Sequence, residues 1–400
     1  MKDKEFRKGI LYGILITITI AVAVNAIYTG YKVFVKKDIN YEAKARTIYS
    51  IMEKNYVGDI DKKELFEGVY LGMLYKSADK YSTYISAEDY NDYKIKTSGN
   101  YVGIGALMTI DVNDYSIVIN TVYEGSPAEK ADIRPGDKLI EAEGKKVNYD
   151  NYADAVDMVR GEAGSKVNIK IFRPSENKTY DKEVTREDID QPTVAGALMD
   201  NNIGYIAISG FESVTYDQYM ETYNKLKSQG MKALIIDLRE NPGGLLDTVA
   251  KIADEIIPEG TITYTEDKNG RKEYLKSAPN EIDIPLAVLV NEHSASASEL
   301  LTAAVKDTGK GIIIGKNTYG KGVVQTTFPL TDGSAVKLTT ARYYTPKGIC
   351  IDGEGVAPDI EVENPSDYEL PVLSGTEARY NTDYDTQLKK AVEEMEKSIS

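Results

Sequence analysis

From about residue 188 the chain alternates short apolar runs with amphipathic stretches, and this alternation restricts the fold more than any other feature. Strand-like runs at 203–209, 233–238, 261–265, 286–290 and 311–314 are separated by helical spacing at 216–229, 245–257 and 298–305. Such an order predicts the α/β class, a layered sheet with crossover helices, and 335–344 resumes as strand. The 400 residues suffice for two or three domains, each with its own core. A net charge of −15 with no basic stripe excludes nucleic acid as a partner, because phosphates would be repelled.

The amino-terminal end carries a different signal. Residues 9–31 hold no charge, and these 23 positions would span about 35 Å as a helix, enough for a bilayer core. Residues 2–8 form a short basic flank that would stay inside, so the stretch reads as a single-pass signal anchor with the bulk of the chain outside the cytoplasm. The competing reading is a signal peptide cleaved at Val24-Asn25-Ala26, after which the protein would be secreted. The length of the run and the lysines after it (Lys32, Lys36, Lys37) favour the retained anchor. One cysteine, Cys350, allows no internal disulfide.

Residues 40–99 repeat apolar positions at helical spacing, as in Ile48, Ile51 and Met52, then Leu65, Phe66, Val69, Tyr70, Met73 and Leu74. These helices are too few to close a core and are expected to pack on the main body or on a partner subunit. At the other end, an irregular stretch at 364–382 leads to 384–399, where Leu388, Ala391, Val392 and Met395 make one narrow apolar face. That face needs a partner. It is expected to dock on the amino-terminal helices, within one chain or across a homodimer.

The chemistry concentrates at 290–300, Val-Asn-Glu-His-Ser-Ala-Ser-Ala-Ser-Glu-Leu. Its serines fall between a strand-like run and a helical one. Free N–H groups at a helix start can face the oxyanion formed when a neighbouring hydroxyl attacks a carbonyl; an ordinary Ser-rich cap gives the same pattern. The usual bases are scarce. His293 is the only histidine and lies too near in sequence to reach back over Ser296. Nothing around Cys350 resembles an activated thiol, and a zinc site lacks its ligands. A lysine remains, and it must be neutral, which lowers its pKa by roughly three units from about 10.4 through burial. Lys321 lies in Tyr319-Gly-Lys-Gly-Val-Val-Gln325, between apolar runs, with Gln325 four positions on and on the same side in a helix or a strand. The alternative for this stretch is a surface glycine turn with a solvated lysine.

Ser-Ala-Ser-Ala-Ser-Glu followed by Tyr-Gly-Lys-Gly-x-x-Gln resembles the carboxyl-terminal processing peptidases, the tail-specific serine proteases. The resemblance implies Ser296 as nucleophile, Lys321 as general base and Gln325 as the residue that positions it. It further implies an oxyanion hole from the backbone of Ala297 and of a glycine after the buried strand at 233–238, where Gly243 and Gly244 are both open choices. Glycine there would let the main chain approach a substrate. No cofactor or metal is implied. The acidic run 352–359 fits a glycine loop better than a calcium site. Segments 79–90 and 353–362 are similar to stretches bordering this family's core.

Residues 101–173 resemble a PDZ domain of the bacterial protease type. They combine Tyr101, Val102, Gly103, Ile104 and Gly105, two strands, a capping box at Ser126, Pro127 and Glu129, a turn at 134–137, and a helix ending at Arg160. A PDZ domain takes an extended C-terminus as an added strand, so residues 101–105 are expected to hold the terminal carboxylate in backbone N–H groups. Arg160 is assigned a regulatory role, linking PDZ occupancy to the catalytic centre, with a solvated helix end as its alternative. The expected organisation is an anchor at 1–38, a helical region at 39–99, the inserted PDZ domain at 100–187, a layered α/β protease core at 188–365 and a tail with an amphipathic helix at 366–400. The expected activity is cleavage of exported proteins recognised by their C-terminal segments. The alternative is an extracytoplasmic PDZ adaptor on an inactive protease scaffold.

Overall fold

The computed structural model describes residues 17–25, 27, 40–279 and 281–400, and the chain divides into two compact units, Met1–Tyr70 and Leu71–Ser400. In the first, helix α1 (Tyr41–Asn55) starts where Asn40 accepts the Ala43 N–H at 2.9 Å. Helix α2 (Lys62–Ser77) begins in this unit, and the Tyr49 and Phe66 rings meet at 5.9 Å. Ile48 and Ile51 are exposed. The expected anchor at 9–31 lies largely outside the described residues, of which 17–25 and 27 are helical. Among the described residues no helix is long and apolar enough to cross a membrane.

The second unit opens with strand β1 (Thr83–Ile85) and helix α3 (Ala87–Ser98), capped by Ser86 and closed by Gly99 in the left-handed region at φ 73°. Strand β2 (Asn100–Gly103) leads into an antiparallel sheet of β3 (Ala106–Ile110), β4 (Ile117–Val122), β5 (Lys138–Ala142), β7 (Lys166–Arg173) and β8 (Lys178–Thr185), in that spatial order. The short β6 (Lys145–Lys146) pairs with β5, and β9 (Glu187–Asp190) pairs with β2. Helix α4 (Tyr152–Val159) buries Ala155 and Val159 against this sheet. One polar pair is sealed inside, Arg173 donating to Asp137 at 2.7 and 2.8 Å.

The core sheet runs β10 (Val194–Leu198), β11 (Ile203–Ile208), β12 (Ala233–Asp237), β15 (Leu286–Val290), β16 (Ile312–Gly315) and β19 (Ile360–Glu361). All neighbours are parallel except β10 against β11. Every residue of β12 and β15 is buried, as strands covered on both faces require. The alternation of side chains divides the core in two. Ile206, Leu234, Ile236, Leu286 and Val288 face helices α5 (Thr215–Ser228), α6 (Leu246–Ile256) and α7 (Ala297–Thr308), while Tyr205, Ile235, Ala287 and Leu289 face helix α8 (Thr386–Ile399).

Two expectations are corrected. The apolar face of α8 (Leu388, Ala391 and Met395) lies on the core sheet and not on the amino-terminal helices, so this face is closed to a dimer contact. The reason is area: α5 to α7 cover one face of a fully apolar sheet, and the other needs a lid. Second, the strands read at 261–265 and 335–344 do not join the parallel sheet. As β13 (Gly260–Asp267) and β18 (Ala335–Tyr344) they form a separate antiparallel sheet with β1, β14 (Lys272–Ser277) and β17 (Val323–Pro329). Their residues are mostly half-buried, the pattern of a sheet with one wet face.

Arg239, just past β12, fastens α8. Its guanidinium donates to Asp385 at 2.8 and 2.7 Å, to Asp237 at 2.9 Å and to Gln387 at 3.0 Å. Asp385 in turn caps α8 through the Leu388 N–H and accepts from the Tyr368 hydroxyl. Burial opposes its ionisation, yet Arg239 holds the Asp385 carboxyl below the usual range. Replacing Asp385 by Ala strips Arg239 of one of two buried carboxylates and uncaps the helix. Urea unfolding is expected to show a loss of about 3 kcal/mol; a loss below 1 kcal/mol would refute the fastening role.

Candidate active site

The loop after β15 carries Ser294, Ser296 and Ser298, and hydrogen bonding separates them. Ser294 and Ser298 are fully buried and donate to the carbonyls of Leu238 at 2.7 Å and Asn241 at 2.9 Å. Both therefore tie this loop to the one that follows β12. Ser296 is half-buried and lines a cleft of about 420 Å³. Its backbone is strained, φ 56° and ψ −113°, in a region that side-chain-bearing residues rarely adopt.

Glu299, one turn into α7, holds this turn to the lysine loop. Its fully buried carboxylate accepts the N–H of Ser296 (2.8 Å), Gly320 (2.6 Å) and Lys321 (2.8 Å) and the hydroxyl of Thr318 (2.6 Å). Tyr343 of β18 adds a second link, its hydroxyl 2.9 Å from the Ser296 carbonyl and also bonded to that of Lys321. Behind the lysine, Asp352 accepts the Gly322 N–H at 3.2 Å and the Gly353 N–H meets the Gly320 carbonyl at 2.8 Å. The acidic loop at 352–359 thus backs the lysine turn.

Ser296, Ala297, Gly243, Gly244, Lys321 and Gln325 all line the cleft. The side chains of Ser296 and Lys321 are not engaged with each other. No hydrogen bond joins Ser296 Oγ to Lys321 Nζ; the ammonium instead sits 5.0 Å over the Tyr81 ring. Burial pushes the Lys321 amine down from the ordinary lysine value, and the Lys337 cation pushes it further. Gln325 does not contact Lys321, contrary to the spacing argument. Its amide is 3.4 Å from both the Val323 carbonyl and Thr339 Oγ1. The cause is that Lys321 lies in a glycine turn two residues before β17 begins at Val323, so the strand alternation that the spacing argument assumed does not extend to it.

The two glycines differ. Gly243 donates its N–H to Asn241 Oδ1 at 2.9 Å, whereas the Gly244 N–H makes no such bond and its carbonyl neighbour is held by Phe211, whose N–H meets the Gly243 carbonyl at 3.0 Å. Either position rejects a side chain: a Cβ on Gly243 would lie 2.9 Å from Ala297 N, and one on Gly244 2.4 Å from the Phe211 carbonyl. The Ala297 N–H is likewise uncommitted.

Tyr101, Val102 and Gly103 pair with β9 in a separate two-stranded sheet, and Ile104 and Gly105 turn into β3, an edge strand of the PDZ-like sheet whose Met108 carbonyl accepts the Tyr152 hydroxyl at 2.8 Å. Gly105 is required there, at φ 75°, because a Cβ would lie 2.4 Å from Ser126 Cβ. Arg160 is not solvated alone. It pairs with Asp92 of α3 and lies 5.9 Å over the Tyr101 ring. Tyr93, the next residue of α3, lines the cleft.

Three profiles of known families match the chain. Peptidase family S41 matches residues 202–362, a PDZ domain 118–173, and the activating protease CtpB N-terminal domain 24–89. The carboxy-terminal processing protease CtpA of Bacillus subtilis is 34% identical over 386 residues, 94% of this chain and 82% of its own length. The chain belongs to the S41 carboxy-terminal processing proteases. A probable CtpA-like serine protease of Staphylococcus aureus (strain COL) is 34% identical over 97% of this chain and 78% of its own. A solved photosystem II D1 C-terminal processing protease is 30% identical and covers 79% of this chain and 86% of that one, with a TM-score of 0.47. This S41 protease is therefore an enzyme, and the alternative of an inactive adaptor falls away.

Sequence reasoning missed Glu299, Tyr343 and Tyr81 as parts of the site. Only Glu299 left a local trace, as the acidic residue three positions after a capping serine. Glu299→Gln keeps the shape but turns an N–H donor toward the N–H groups that the carboxylate accepts. It is expected to lower kcat about a hundredfold with KM within about twofold; an unchanged kcat for a peptide substrate would show that the tie is dispensable.

Proposed function

We propose that this S41 protease works as a membrane-anchored endopeptidase with a serine and lysine dyad. The observation that carries the reading is the placement of Ser296: of the three serines in its loop it alone lines the cleft, on a strained turn, together with a half-buried lysine. Ser296 Oγ attacks the scissile carbonyl carbon while its proton passes to neutral Lys321 Nζ. The Ala297 and Gly244 N–H groups receive the oxyanion, since the Gly243 N–H is already taken. The C–N bond then breaks, the amine leaves with a proton from Lys321, and water attacks the ester with Lys321 again as base, releasing the acid. Gln325, on the same cleft wall, is the group placed to receive the lysine once it leaves Tyr81.

In this reading residues 101–105 and the edge strand β3 take the substrate's C-terminal segment, which displaces the Tyr152 hydroxyl from the Met108 carbonyl. Arg160 carries the signal of occupancy through Asp92 to α3. The uncharged run 9–31 supplies the anchor, which places the protease body outside the cytoplasm. A homodimer, if formed, would use the exposed apolar residues of α1 and α2 and not α8.

Three measurements test the scheme. Ser296→Ala should abolish release of product from a peptide with an apolar free C-terminus. Lys321 must lose its proton to act, and its pKa is depressed, so kcat should fall as pH drops through a value below the ordinary lysine 10.5. Lys337→Gln removes a like charge and should move that limb to higher pH; a limb that does not respond would exclude Lys321 as the titrating base. Arg160→Ala should remove the rate gain that a separate PDZ ligand gives to a short peptide substrate. An identical gain in both forms would sink the coupling role.

A further inference from the structure

The protein as a whole is acidic, with 63 carboxylate residues against 48 cationic ones, yet its catalytic cleft is lined by three lysines, Lys96, Lys321 and Lys337. None of the three forms an ion pair among the described residues. The one carboxylate in the lining, Glu212, is turned back on its own segment: Thr215 Oγ1 lies 3.3 Å away, and burial pushes its carboxyl up. Its charge acts on Lys96, and no ion pair joins it to Lys337 among the described residues. Lys321 is accounted for by the chemistry. Lys96 and Lys337 are not.

Lys337 is the better placed of the two. It is half-buried on β18, opposite Thr327, and its ammonium rests 5.3 Å over the Tyr93 ring. Tyr93 is fixed in turn by its hydroxyl, 3.3 Å from Thr327 Oγ1. An aromatic face stabilises a cation without neutralising it. A partly desolvated ammonium, held rigidly and without a counter-ion, attracts an anion that enters from solvent.

We propose that Lys337, assisted by Lys96, is a subsite for a carboxylate of the substrate, so that the protease selects segments carrying negative charge a few residues from the cut. This rests on Ser296 being the nucleophile. Lys337 lies six positions along β18 from Tyr343, whose hydroxyl binds the Ser296 carbonyl. That separation is about 20 Å of strand, less the reach of the side chains, which places the recognised charge roughly three to five extended residues from the scissile bond. The carboxylate is either an Asp or Glu side chain or the free terminus of a substrate with a short tail.

The test uses the full-length protein and quenched peptides that differ only by Glu, Gln or Lys at one position, each with a free-acid or amidated end. Ser296→Ala sets the background. In the wild type, Glu at one position is expected to raise kcat/KM about fivefold over Gln, mainly through KM, and the gain should shrink with added salt. In Lys337→Glu the same ratio should fall below one and Lys should become the preferred residue. Any shift of the Lys321 amine in that variant acts on all peptides alike and leaves the ratios intact. If Lys337→Glu does not fold, Lys337→Gln should bring the ratio to one. A preference that follows the free-acid end and not the internal Glu identifies the terminus as the source. Equal ratios at every position and terminus, or the same preference in wild type and variant, overturn the subsite alone. Absence of any Ser296-dependent cleavage would overturn the nucleophile assignment, and the subsite with it.

Discussion

A buried carboxylate without an ion-pair partner is costly, and the site depends on one that is satisfied entirely by donors from two loops. Glu299 accepts three backbone N–H groups and one hydroxyl, from Ser296, Thr318, Gly320 and Lys321. It also lies in the first turn of α7, where the helix N-terminus favours negative charge. The consequence is that the nucleophile turn and the lysine loop, over 20 residues apart in sequence, behave as one body. The positive φ of Ser296 persists because this tie, the Tyr343 hydroxyl and the Ser294 and Ser298 hydroxyls over-determine the turn.

The backbones are thus fixed while the Lys321 side chain is free to move. Its four-carbon stem starts beside Ser296 and ends over Tyr81. On the proposed reading the amine reaches the serine by rotation about this stem while the tied loops stay in place. Tyr81 itself is anchored: Asp79 accepts the N–H groups of Tyr81 and Ser82 at 2.9 Å each, and Ser82 Oγ accepts the Thr339 N–H at 3.0 Å. The aromatic ring that holds the lysine is therefore part of the β1 and β18 sheet and moves with it.

What the sequence revealed follows burial. The parallel strands β12 and β15 are apolar throughout except for Asp237 at the end of β12, because both faces are covered, and they were legible as such. Strands β14 and β17 are rich in Lys and Thr with few buried positions, so no period marks them. The point at which β17 begins has no local sign either, and because Lys321 falls before it, simple spacing misjudged how the lysine faces Gln325. The apolar face of α8 was visible, but its partner was not, because a stripe states a need for cover without naming the surface that gives it. The serine, the lysine and the two glycines were found through resemblance. The proposal of Gly244 over Gly243 rests on the Asn241 side chain, which takes the N–H of Gly243.

Helix α3 is the element through which the PDZ sheet and the cleft act on each other. Successive residues on a helix point about 100° apart, so Asp92 and Tyr93 face different neighbours. Asp92 meets Arg160, which also covers the Tyr101 ring beside the peptide loop. Tyr93 meets Lys337 and lines the cleft. The segment just before α3 carries Tyr81 over Lys321. On the proposed reading, a peptide that docks at residues 101–105 displaces Tyr101, and with it Arg160, so the pull on Asp92 changes. A capped three-turn helix transmits that change as a rigid body, because bending it would break its own hydrogen bonds. The same small rotation then shifts the wall under Lys337 and the ring under Lys321, so one movement would adjust both the charge that selects the substrate and the amine that activates the serine.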